Sequence, residues 1–164
     1  MILISMGSNL PSNSGSPLAT CEAALVYLQG KGVTLTALSP WYETAPVPIS
    51  DQPWFINGVA EVSTTLSPAA LLNLLHEAEA AFGRARSVVN APRELDLDLL
   101  VYGNLVQVEG APLLPHPRLH ERAFVLLPLQ DIAPDWQHPV TGLNLSAMIG
   151  ALPAGQEIRR LHRH

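Results

Sequence analysis

Two of the three Ser-Pro pairs, Ser16-Pro17 and Ser67-Pro68, each followed by an apolar run at helical spacing, constrain this chain more than any other feature. A serine followed by proline marks a helix start, because the hydroxyl accepts from an early backbone N–H and the proline sits in the first turn, where its missing donor is no loss. After the first pair, apolar residues fall at Leu18, Cys21, Leu25 and Leu28, and Gly30 and Gly32 stop the run. After the second, Leu71, Leu72, Leu75, Ala78 and Phe82 share one helical face before Gly83. Around these helices lie short apolar or alternating runs that read as strands: 2–6, ending at Gly7-Ser8-Asn9; one strand from 33 into Trp41-Tyr42; 55–65; and 95–102, closed by Gly103-Asn104. The order strand, helix, strand, strand, helix, strand predicts an α+β, ferredoxin-like sandwich, an antiparallel sheet with helices packed on one face. Between residues 45 and 53 runs a proline-bearing loop long enough to be functional. The last third, punctuated by Pro112, Pro115, Pro117, Pro128, Pro134, Pro139 and Pro153, reads as a proline-rich C-terminal embellishment of the same domain, and the tail 159–164 as a frayed polar end.

A chain of 164 residues suits a single domain over 1–164. With 48% apolar and only 14% charged residues it is too hydrophobic for a disordered segment. It has no uncharged apolar run of about 18 residues and no basic-then-apolar leader, so membrane and secreted readings fall away and a cytoplasmic protein is expected. Cys21 is the sole cysteine; it closes no intrachain disulfide, offers no thiolate zinc cluster, and is expected to pack in helix one. The net charge of −5 argues against a broad nucleic-acid surface. Any basic site must be local, and Arg84, Arg86, Arg93, Arg118 and Arg122 cluster in one part of the chain. Arginine forks suit bidentate phosphate recognition, although a solvated surface reads the same way from composition.

Asp96-Leu97-Asp98 is the triplet that points to chemistry. In a strand, residues two apart project from one face, so the carboxylates stand side by side while Leu95, Leu97 and Leu99 take the other. Such a pair repels itself unless a divalent cation neutralises both, and hard oxygen ligands suit magnesium, which takes its remaining ligands from water and substrate phosphates. A solvent-facing strand edge is the alternative, but aspartate is a poor strand former. There is no Walker lysine motif and no GxGxxG. Ser8, Ser12 and Ser14 lack a partner pattern for a nucleophile. His116 and His120 could donate to phosphate, but without a third clustered ligand they make no zinc site. Singly, Phe55 and Phe124 read as core, whereas Asn57 in the middle of a strand is unusual enough to suggest a role.

Five ordered segments resemble the 6-hydroxymethyl-7,8-dihydropterin pyrophosphokinase family of folate biosynthesis. They are Gly7-Ser8-Asn9-Leu10; Tyr42-Glu43-Thr44-Ala45-Pro46 with Asp51-Gln52-Pro53-Trp54-Phe55-Ile56-Asn57; Gly83-Arg84-Ala85-Arg86; Pro92-Arg93-Glu94-Leu95-Asp96-Leu97-Asp98; and His116-Pro117-Arg118 with Arg122-Ala123-Phe124-Val125-Leu126. The resemblance implies transfer of the terminal diphosphate of ATP to the hydroxymethyl oxygen of the pterin, releasing AMP, with two Mg2+ ions held by Asp96 and Asp98. It implies a pterin slot lined by Thr44, Ala45 and Val47, with the ring between Phe55 and Phe124 and its polar edge read by Asn57. ATP contacts would come from His76, Glu79, Arg84, Arg86, Arg93, His116 and Arg122, with Arg84 and Arg93 the catalytic arginines. One segment departs from the family: Ser87-Val88-Val89-Asn90-Ala91 stands where members carry a basic residue, often an aromatic, and a glycine before the proline. A monomer is expected. A nucleotide-sensing module and a metal-dependent phosphohydrolase are the rival readings.

Overall fold

The computed structural model describes residues 1–12, 14–46, 48–82 and 95–162. The elements run β1 (Ile2–Ser8), α1 (Pro17–Gln29), β2 (Thr34–Leu38), β3 (Tyr42–Thr44), β4 (Phe55–Ser63), α2 (Pro68–Ala81), β5 (Asp96–Tyr102), a short 3-10 turn (Leu119–Glu121), α3 (Ala123–Ile132), α4 (Leu145–Gly150) and β6 (Ile158–Arg160). Ser16-Pro17 and Ser67-Pro68 do what the sequence predicts: the Ser16 hydroxyl accepts from the Ala19 N–H and the Ser67 hydroxyl from the Ala70 N–H, each at 3.2 Å.

The strands form one sheet in the order β5-β1-β4-β3-β6, with β2 also paired to β4, and the pairings are antiparallel. The strand expected from 33 into Tyr42 is two pieces. Ser39-Pro40 breaks it, because proline offers no ladder donor. The gap is closed by Ser39, whose hydroxyl accepts from the Val59 N–H at 3.0 Å while its own N–H donates to the Val59 carbonyl at 2.9 Å. Both pieces therefore stay on β4.

Each face of the sheet carries its own core. Ile4, Met6, Ala60, Val62, Leu97 and Leu99 meet Cys21, Leu25 and Leu28 of α1 and Leu71, Leu75 and Ala78 of α2, so both early helices pack on one face. Burial pushes the Cys21 thiol up to about 12, which makes it packing material and no nucleophile. On the other face Leu3, Val59, Leu100 and Val101 meet Val125, Leu126 and Leu129 of α3 and Leu145 and Met148 of α4. The proline-bearing last third thus supplies the second layer. The tail does not fray through its whole length: residues 158–160 form β6 against β3, and Leu161 donates to the Trp41 carbonyl at 2.9 Å. No helix among the described residues is long and apolar enough to cross a membrane.

Candidate active site

Register decides which side chains meet. Asp96 of β5 stands opposite Gly7 of β1, Gly7 opposite Asn57 of β4, and Asn57 opposite Tyr42 of β3; one rung further, Asp98 faces Ser5 and Ser5 faces Val59. Because directly paired residues share a face, Asp96, Gly7, Asn57 and Tyr42 form a row across four strands on the α3 side. Leu97 and Leu99 point into the α1/α2 core, as the alternation predicts.

The row works because position 7 has no side chain. A Cβ there would lie 2.4 Å from the Asn57 Oδ1, closer than real contacts allow. The amide instead lies over the glycine, buried, with its Nδ2 donating to the Thr44 hydroxyl at 2.5 Å. Phe55, two residues before Asn57, shares its face and pairs with Thr44 across the ladder. Asn9, at the end of the opening motif, is buried and donates from Nδ2 to the Gln52 side chain and the Pro53 carbonyl, each at 3.2 Å, which holds down the end of the 45–53 loop.

Arg122, at the start of α3, closes the row from above. Its guanidinium lies 3.6 Å from the Asp98 carboxylate and 5.3 Å from the centre of the Phe124 ring. Burial lowers its affinity for the proton and Asp98 restores part of it, but a guanidinium stays charged in either case. His116 sits beside Arg122, Arg118 and Asp96; burial first, then the two arginines, push it down to about 4, so it is neutral at pH 7. Its Nδ1 accepts from the Arg118 backbone N–H at 3.1 Å. The proton of the neutral ring is therefore on Nε2, which makes His116 a one-proton donor without charge.

Glu79 and the half-buried His76 lie on one side of α2. Glu79 is fully buried, and its Oε2 accepts from the backbone N–H of Leu97 at 3.0 Å, the residue between the two aspartates. This bond ties α2 to the strand that carries the pair. Asp96 and Asp98 are half-buried, and among the described residues no three His, Cys, Asp or Glu side chains form a metal cluster. Two hard carboxylates on one strand face fit magnesium, which binds proteins through one or two carboxylates. They do not fit a closed zinc site.

The structure therefore brings together Thr44, Asn57, His116, Arg122, Phe124, Asp96 and Asp98, and places Phe55 and Ala45 at the rim. Val47, Arg84, Arg86 and Arg93 lie outside the described residues, as does the divergent segment 87–91. Gly7, beneath the Asn57 amide, and Asn9, bonded to Gln52 and Pro53, are positions of this assembly that the sequence marks only as parts of a motif. The linkage of Tyr42 with Asp131 and Arg160, described below, has no sequence signal at all. A separate cavity of about 440 Å3, walled by Val106, Leu113, His138, Leu143 and Met148, shares His116 with the site but not Asp96, Asp98, Thr44, Asn57 or Phe124.

Known proteins resemble this chain in sequence and in fold. Residues 3–134 match the family described as 7,8-dihydro-6-hydroxymethylpterin-pyrophosphokinase. The 2-amino-4-hydroxy-6-hydroxymethyldihydropteridine pyrophosphokinase of Pseudomonas aeruginosa is 40% identical over 155 residues, covering 93% of this chain and 91% of that protein. The folic acid synthesis protein fol1 of Pneumocystis carinii is 39% identical over 89% of this chain, which spans only 19% of that longer relative. Among solved structures, wild-type HPPK-DHPS of Plasmodium falciparum with pteroate superposes with a TM-score of 0.70 at 12% identity, over 91% of this chain and 43% of that one, a likeness of fold. With two thirds or more of both sequences aligned to the bacterial relative and four fifths of the chain inside the family match, this chain belongs to the 7,8-dihydro-6-hydroxymethylpterin-pyrophosphokinase family.

Proposed function

We propose that this protein transfers the terminal diphosphate of ATP to the hydroxymethyl oxygen of 6-hydroxymethyl-7,8-dihydropterin and releases AMP. The observation that carries the reading is the row Asp96, Gly7, Asn57: it sets a carboxylate pair suited to metal-bound phosphate beside an amide suited to a heterocycle's polar edge, separated only by a glycine. In the reaction the hydroxymethyl oxygen forms a bond to the β-phosphorus, the bond from that phosphorus to the bridging oxygen of AMP breaks, and the hydroxyl proton passes to solvent. When bound, two magnesium ions on Asp96 and Asp98 would neutralise phosphate charge and make the hydroxyl more acidic.

Asn57, with Thr44 and the 44–47 backbone, orients the pterin, and Phe55 and Phe124 offer it aromatic faces. Arg122, drawn towards Asp98 in the free protein, would meet the polyphosphate, with Arg84, Arg86 and Arg93 proposed as its companions and Arg84 and Arg93 as the catalytic arginines. Neutral His116 donates through Nε2 without adding charge, and His76 and Glu79 border the nucleotide from α2, Glu79 also fixing the strand. No side chain takes the role of general base; positioning and charge neutralisation carry the rate. The order β5-β1-β4-β2 with α1 and α2 on one face suits a ferredoxin-like sandwich forming one domain over 1–164. A net charge of −5 suits small-molecule substrates over nucleic acid, and we take the working protein as a cytoplasmic monomer.

The test is incubation with ATP, magnesium and the hydroxymethyl-dihydropterin. AMP that forms only when the pterin is present supports the reading; nucleotide breakdown without pterin makes the protein a phosphohydrolase, and ATP binding without turnover makes it a sensing module.

A further inference from the structure

We propose that β6 is a brace for the pterin slot, and that Arg159 and Arg160 are positioning residues acting on the pterin through the 42–54 segment and α3. The inference rests on the function proposed above. Three residues of strand reach both ends of the loop that lines the slot. At its start, β6 pairs with β3 in the register Tyr42 to Arg160, Glu43 to Arg159 and Thr44 to Ile158, and the Ala45 N–H donates to the Glu157 carbonyl at 3.0 Å. At its end, the Arg159 guanidinium stacks on the Trp54 ring at 4.9 Å while its Nε donates to the Glu43 carboxylate at 2.7 Å. The loop is pinned on two sides by one side chain.

Arg160 does the same for the helix above. Its Nη2 donates to Asp131 Oδ1 at 2.5 Å and its Nε to the Tyr42 hydroxyl at 3.3 Å, and that hydroxyl donates to the other Asp131 oxygen. Asp131 stands two turns after Phe124 on α3, so the two share a helix face. Tyr42 in turn is the register partner of Asn57. The chain of contacts runs from the ring face offered by Phe124, down α3 to Asp131, across to Tyr42 and back to the amide beneath. It fixes the gap between α3 and the sheet in which a flat ring has to fit.

Arg159 and Arg160 are exposed, at 68% and 55% of their side chains, and exposed ion pairs add little to global stability. Their contribution is geometric, which separates this proposal from a merely structural role. In Arg159→Ala and Asp131→Asn, the KM for pterin should rise about three- to tenfold, as expected when a competent slot geometry becomes only partly populated. The KM for ATP and the Tm should stay near wild type. Arg159→Lys, which keeps the ion pair but loses planar stacking on Trp54, should recover part of the loss. Calorimetric titration with 6-hydroxymethyl-7,8-dihydropterin in the same proteins gives a readout independent of turnover. An unchanged pterin affinity in both variants overturns the brace, as does a parallel loss for both substrates with a falling Tm. A wild-type protein that binds pterin but makes no AMP removes the proposed activity and still tests the brace through binding; one that binds no pterin removes both.

Discussion

Replacing Gly7 by alanine tests the centre of the site with a single carbon. The new Cβ would stand 2.4 Å from Asn57 Oδ1 and 3.5 Å from Asn57 Cγ and the Ile56 carbonyl, so the amide must turn. Turning breaks its 2.5 Å bond to Thr44, where Asn57 is 7% and Thr44 3% exposed and water cannot take over. An unmade buried hydrogen bond costs ~1–3 kcal/mol, and a strained rotamer another ~0.5–1.5. Removing a glycine from a strand interior returns ~0.5–1 kcal/mol. The balance is a loss of about 1–3 kcal/mol, or a Tm lowered by roughly 3–10 °C for a domain of this size. Pterin affinity should fall about 10- to 100-fold because the reading amide is misaimed, while ATP affinity holds. Thermal unfolding followed by circular dichroism and separate titrations of the two ligands measure both effects. Gly58→Ala is the comparison: its Cβ would meet the Trp41 ring at 2.7 Å in the opposite core, so it should lower the Tm without singling out pterin. A Gly7→Ala protein with unchanged Tm and full pterin affinity would refute the placement of Asn57 over the glycine.

Asp98→Asn should leave the fold intact, since the Arg122 pair it loosens is only a 3.6 Å contact, yet lower turnover by more than about a hundredfold through weaker metal binding; near-normal activity at low magnesium would sink the metal assignment. Asn57→Ala and Phe124→Ala should each weaken pterin far more than ATP by calorimetry, whereas equal losses would place both residues in the core. His116 gives a pH signature. Its folded-state value of about 4 lies below the unfolded value of 6.5, so the unfolded chain binds the proton first and stability contributed by the neutral ring is lost as pH falls from about 6.5 towards 4. His116→Gln should flatten that part of the stability curve in urea titrations, and an unchanged slope would mean the ring is not buried as described.

Local chemistry was legible in the sequence and long-range chemistry was not. The Ser-Pro caps, the apolar spacings of α1 and α2 and the Asp96-Leu97-Asp98 alternation depend on neighbours a few residues away, and they appear in the structure where the pattern puts them. The break at Ser39-Pro40 was missed because alternation runs straight through it; only a hydroxyl standing in for a ladder acceptor reveals it. Arg159 was missed because its partner Glu43 is 116 positions away, and a tail rich in arginine and histidine carries no strand period. The pairing of Asn57 with Asp96 through Gly7 depends on register across three strands, which no window of sequence contains.

One sheet face has to hold both a dry core and a charged site, and β5 explains how. Its pairing with β1 shifts between Leu3 and Ile4, so Leu100 is an extra residue in the ladder. Strict alternation would send Val101 to the α1/α2 side; with the bulge, Leu100 and Val101 both enter the core beneath α3. Below the bulge the same face offers Asp96 and Asp98, above it only aliphatic side chains. The carboxylates are thereby kept at the end of the sheet where Gly7, Asn57 and Arg122 converge, and α3 seals the other end with Leu126 and Leu129. Deleting the bulge, so that β5 alternates without a break, would reverse the facing of every side chain on one side of it; with Val101 and Tyr102 held in place, both aspartates would turn into the core against the α1/α2 helices. The presence of that single extra residue is therefore as much a part of the site as the aspartates themselves.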